Sequence, residues 1–91
     1  MTHDENTLLQ DKRKRINTID AGILSLLQER AQLAMDIKQI KRDTGLEIED
    51  LSREQELKDY LQNLNENSVL PDEHLIEIWG KIIELSKKIQ G

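Results

Sequence analysis

The sequence predicts an all-α fold of three helices, one long and two shorter, and three observations carry that expectation. From Leu8 to Thr44 apolar residues recur at helical spacing without a break. The chain has one proline, Pro71, and only four glycines, too few breakers for a multi-stranded sheet, and no stretch alternates apolar with polar as strands do. Phe is absent and Trp79 and Tyr60 stand alone, so Leu, Ile, Val and Ala must build the core, which favours helices packed on helices.

The first helix is expected to begin at Thr7, after a polar, frayed tail over residues 1–6. Thr7 and Gln10 have capping-box spacing, with the Thr7 hydroxyl accepting the Gln10 amide and the Gln10 side chain returning to the Thr7 amide. With Ile23 as zero and about 100° per residue, Leu9, Ile16, Ile19, Leu26, Leu27, Ala34 and Ile37 fall within roughly 60° of it. Gly22 costs about 1 kcal/mol relative to Ala, yet the repeat keeps its register on both sides. Thr44 and Gly45 end the helix, Gly45 suiting the left-handed C′ position. A loop over 45–51 leads to a second helix capped by Asp50 or Ser52, with Leu57, Leu61 and Leu64 along its edge, reaching about Asn65. Residues 65–68 form a turn. Pro71 opens the third helix, with Asp72 and Glu73 where the dipole favours acids, and its stripe is Leu75, Ile78, Trp79, Ile82, Leu85 and Ile89.

Ninety-one residues form one domain, 1–91, near the small end of what buries a core alone. The long helix, about 37 residues at 1.5 Å each, spans roughly 55 Å, whereas a compact chain of this size is about 30 Å across. Two such helices side by side, each chain covering the other, would solve that mismatch, so a homodimer is expected. The net charge of −5, with both signs interspersed, argues against nucleic-acid or anionic-membrane partners. There is no cysteine, and His3 and His74 are isolated, so neither a disulfide frame nor a metal site is expected. The polar start lacks an apolar signal segment, and no run is long enough to span a bilayer, so a cytoplasmic location is expected.

Two charges interrupt the apolar stripe of the long helix. Arg30 lies about 20° from Ile23 and Lys41 almost on top of it, while Arg13 flanks it about 80° away. A cation in an apolar surface is costly unless an anion meets it. Ser86 lies inside the stripe of the third helix, and Gln90 is on its edge one turn on. These groups are donors with few carboxylates to match, a set suited to a small dianion, arginine giving bidentate contacts and lysine a point charge. Each has a simpler explanation when taken singly. Arg30 could pair with Asp20 or Glu29, Lys41 could favour the helix end, Asp50 could be a cap and Arg53 with Glu54 a first-turn pair. Ser86 could bond back to its own helix, and Gln90 could be a frayed end. No cysteine nucleophile, plausible Ser/His/Asp set, metal cluster or glycine-rich phosphate loop is present, so chemistry here would proceed by positioning and electrostatics, without a cofactor.

Taken together, Arg13 with Ile16, Ile19 and Asp20, then Leu27, Arg30, Leu33 and Ala34, then Ile40 and Lys41, Asp50, Arg53 and Glu54, and finally Ile82, Ile83, Ser86 and Gln90 resemble the all-helical chorismate mutases over nearly the whole chain. The resemblance implies an intertwined homodimer of three-helix chains with two sites, each completed by Arg13 of the other subunit. It implies an isomerase that turns chorismate into prephenate by an intramolecular Claisen rearrangement, on the route to phenylalanine and tyrosine. Arg30 and the other chain's Arg13 would hold the two substrate carboxylates, with Ser86 and Arg53 assisting at the ring end. Lys41 and Gln90 would donate to the ether oxygen of the breaking bond, and Asp50 and Glu54 would meet the ring hydroxyl. An isochorismate-pyruvate lyase on a similar cationic pocket, and a non-catalytic helical dimer that regulates or binds a partner, are the alternatives.

Overall fold

The computed structural model describes residues 2–45 and 51–91, and all regular structure among them is helical. Helix α1 runs Thr2–Thr44, α2 Leu51–Leu64 and α3 Asp72–Gln90. By compactness the chain divides into two units, Met1–Gln32 and Leu33–Gly91.

The first unit is helix throughout its described length. It starts at Thr2 rather than Thr7, so residues 2–6 extend the helix instead of fraying from it. Nothing in that stretch breaks a helix, and Asp4 and Glu5 in the first turn complement the partial positive charge of the N-terminus. The capping-box pair therefore lies inside the helix. The apolar stripe is present in register but open to solvent: Ile19 is 57% exposed and Ile23 51%, with Leu9, Ile16 and Leu26 similarly uncovered. Leu27 and Arg30 are half-buried.

The second unit holds the last part of α1, then α2 and α3. Gly45 ends α1 as expected, with φ of 73° and its N–H donating to the Lys41 carbonyl at 2.8 Å, the single-bond left-handed cap. Ser52 is the second residue of α2, not its cap. The Asp50 alternative lies outside the described residues. The turn after α2 forms where expected, Ser68 N–H donating to Asn65 O at 3.0 Å and Asn67 taking a positive φ of 65°, a conformation Asn tolerates better than most residues. Asn65 then ties the turn to the next helix, its Nδ2 donating to Leu70 O at 2.7 Å and to Asp72 Oδ1 at 2.8 Å. Pro71 takes the N-cap position of α3, with φ −66° and ψ 138°, and its carbonyl accepts the Leu75 N–H at 3.1 Å.

Helices α2 and α3 pack on one another. The first turn of α2 meets the last turns of α3 through Glu54 and Lys87, so the two form an antiparallel helical hairpin closed by the 65–71 connection. Leu75 and Ile83 are the buried residues of α3, and Trp79, one turn from each, is half-buried. The face differs slightly from the expected stripe: Ile83 joins it, while Ile78 and Leu85 are 49% and 47% exposed. Ala34 of α1 is also buried. No helix among the described residues is long and apolar enough to cross a membrane.

Candidate active site

The residues expected to act on a dianion distribute over both units. Arg13 and Arg30 belong to the first, Arg13 exposed and Arg30 half-buried. Arginine is the cation suited to bidentate contact with a carboxylate, and its aliphatic stem tolerates partial burial.

Lys41, Arg53, Glu54, Ser86 and Gln90 belong to the second unit. Lys41 stands in the last turn of α1, where the helix dipole favours a cation, and is half-buried. Arg53 and Glu54 open α2, Arg53 exposed and Glu54 half-buried. Ser86 and Gln90 lie one turn apart near the end of α3, both half-buried. The Ser86 hydroxyl donates to Ile82 O at 3.2 Å, the back-bond common for serine within a helix. The Gly91 N–H donates to Lys87 O at 2.7 Å, closing the turn that carries Gln90. Asp50 falls outside the described residues.

The contact that assembles this end of the hairpin is one the sequence did not disclose. Lys87 Nζ lies 2.7 Å from Glu54 Oε1, a charge-assisted bond between α3 and α2. Its side chains are 41% and 22% exposed, whereas the i,i+3 pairs Lys81–Glu84 and His74–Glu77 stand well out in solvent. Each partner also sits at the helix end its charge suits, Glu54 in a first turn and Lys87 in a last. Through this pair, Glu54 is brought beside the segment of α3 that bears Ser86 and Gln90. The available signal was spacing: Lys87 continues the row Leu75, Trp79, Ile83 at every fourth residue, the line that faces α2.

The pattern described as chorismate mutase type II matches residues 12–91, which include every one of these side chains. The chain belongs to the chorismate mutase type II family. Among relatives, the chorismate mutase of Methanocaldococcus jannaschii is 35% identical over 90% of this chain and 83% of its own length. The bifunctional chorismate mutase/prephenate dehydratase of Aquifex aeolicus is 40% identical over 90% of this chain but only 25% of that protein, and the bifunctional enzyme of Buchnera aphidicola subsp. Schizaphis graminum is 34% identical over 81% of this chain and 19% of its own length. The chain thus spans most of the archaeal mutase and a quarter or less of the bifunctional relatives. The three helices among the described residues, one of them long, agree with the all-α fold expected from the sequence.

Proposed function

We propose that this protein is a chorismate mutase, an isomerase that converts chorismate to prephenate in the pathway to phenylalanine and tyrosine. The observation that carries the proposal is the family match over residues 12–91, a span that includes Arg13, Arg30, Lys41, Arg53, Glu54, Ser86 and Gln90. Relatives named as chorismate mutases, one of similar length to this chain, support it.

The reaction breaks the ether C–O bond and forms a C–C bond in one pericyclic step, so no nucleophile, general acid or cofactor is required. What the protein must do is hold the flexible substrate in its folded, near-attack conformer and meet the negative charge that grows on the ether oxygen. Arg30 and Arg13 of a second subunit take the two carboxylates, with Arg53 and Ser86 at the ring end. Lys41 and Gln90 donate to the ether oxygen. Glu54, with Asp50, accepts from the ring hydroxyl. Lys41 serves as a point charge for the developing oxyanion, and the amide of Gln90 donates at any ordinary pH.

A homodimer belongs to the same proposal. The stripe of α1 from Leu9 to Leu26 is open in the single chain, and a second copy of the same stripe covers it while carrying Arg13 into the neighbouring site. A cytoplasmic location suits a biosynthetic step on a small soluble acid.

The test is the loss of chorismate absorbance with purified protein beside Arg30→Ala, the product being identified as prephenate by acid conversion to phenylpyruvate. Turnover that disappears in the variant is expected. A folded protein without turnover overturns the proposal, and release of pyruvate from isochorismate instead would make it a lyase.

A further inference from the structure

Lys87 has no part in the roles set out above, yet it makes an ion pair between α2 and α3, 2.7 Å from Glu54. The pair is partly withdrawn from solvent, with the Glu54 side chain 22% exposed. It also occupies a particular place, since Lys87 follows Ser86 directly and precedes Gln90 by three residues, so its stem leaves α3 between two groups assigned to substrate.

A glutamate has three rotatable side-chain bonds and, unrestrained, spreads its carboxylate over many positions. A carboxylate has two oxygens and about four acceptor sites, so an ammonium on Oε1 fixes the group without using up its capacity to accept a second donor. We propose that Lys87 is a positioning residue for substrate recognition: by anchoring Oε1 of Glu54 from the neighbouring helix, it orients the other oxygen to accept from the ring hydroxyl of the substrate. The inference rests on the chorismate mutase reading and deepens it, because it makes the preference for a hydroxylated ring a property of the α2–α3 seam as well as of Glu54.

The physical consequence is a change in selectivity rather than a general loss. Damage to packing lowers turnover of every substrate alike, whereas loss of the anchor selectively weakens the hydrogen bond to the hydroxyl. The experiment compares kcat/KM for chorismate with that for an analogue bearing hydrogen in place of the ring hydroxyl, in the wild type and in Lys87→Met, Lys87→Gln, Lys87→Arg, Glu54→Gln and the double variant Lys87→Met/Glu54→Gln. Methionine keeps the apolar stem and glutamine the polarity, so at least one neutral variant should keep the helical spectrum and melting transition of the parent. A charge-assisted hydrogen bond to the hydroxyl corresponds to a preference of about tenfold or more for chorismate. That preference is expected to shrink several-fold in Lys87→Met and Lys87→Gln, mainly through KM, and to return in Lys87→Arg. The double variant should be no less selective than Glu54→Gln alone, as two residues acting through one contact require.

An unchanged preference in both neutral variants, or losses in the double variant that simply add, overturns the inference while leaving the mutase reading intact. Wild-type protein that fails to turn over chorismate overturns that reading before any variant is compared.

Discussion

In the proposed reaction Lys41 and Gln90 do the same thing from different helices, presenting hydrogen to one oxygen as its bond to carbon breaks. Removing one such preorganised donor typically costs 10²–10³ in rate, about 3–4 kcal/mol. Lys41→Ala is therefore expected to lower kcat by at least about a hundredfold with the helical spectrum unchanged, and near-normal turnover would remove Lys41 from the mechanism. Gln90→Glu is subtler because it exchanges a permanent donor for a titrating one. A protonated carboxyl can donate, and a carboxylate can only repel the developing charge, so activity should survive below the ordinary glutamate range, near pH 4.3, and fall as pH rises through it. Steady-state kinetics from acid to neutral pH would show this, and a flat profile would contradict it. At this scale the sequence singled out Arg30, Lys41 and Gln90 because each interrupts or borders an apolar stripe, and all three are half-buried in the structure. It was silent on Lys87, because a lysine near a helix C-terminus is unremarkable until a carboxylate on another helix is known to face it. The back-bond from Ser86 to Ile82 was foreseen as the simpler role of that serine, and the structure has it.

The elements are specified mostly by local rules, and the exceptions show where local rules stop. Helix α1 was legible because its periodicity persists over many turns, and its end because Gly45 needs a conformation that other residues adopt at a cost. Its start was misread since a capping box is only four residues long and recurs by chance, whereas Asp4 and Glu5 continue the helix toward the terminus. Ser52 was misplaced for the same reason. Two glycines make the point testable by the same substitution. At Gly45, φ of 73° penalises any Cβ, so Gly45→Ala should destabilise by about 1–2 kcal/mol. At Gly80, in the interior of α3 with open space where a Cβ would go, Gly80→Ala should stabilise by about 0.5–1 kcal/mol. Opposite shifts in the melting midpoint are expected, and shifts of equal sign would mean that one of the two environments is altered in solution.

On the scale of the whole molecule, the single chain leaves uncovered much of what ought to be its core. Among the described residues Ala34, Leu75 and Ile83 are the buried apolar ones, while Ile16, Ile19, Ile23 and Leu26 lie half or more exposed. Burying one such side chain is worth about 1.5–3 kcal/mol, so a second subunit laid along the stripe would contribute a large part of the stability. The mismatch between a long helix and a small domain is the reason a homodimer is expected from the sequence, and the open stripe supports the same expectation. The melting temperature should accordingly rise with protein concentration, as for any fold linked to association. Ile23→Glu, which places a charge at the centre of the stripe, should shift sedimentation toward the monomer and abolish turnover together. A monomeric wild type with a concentration-independent midpoint would contradict both expectations.

Trp79 gives the chain an optical property that follows from its place. It is the only tryptophan, it stands midway between Leu75 and Ile83 on the row that faces α2, and the first unit contains neither tryptophan nor tyrosine. Its emission therefore reports the α2–α3 hairpin, whereas far-ultraviolet ellipticity is weighted toward the 43 residues of α1. The two signals, followed in one titration with urea, divide the molecule spectroscopically without a label: superimposable curves would mean that long helix and hairpin melt as one, and separated curves would reveal which lets go first.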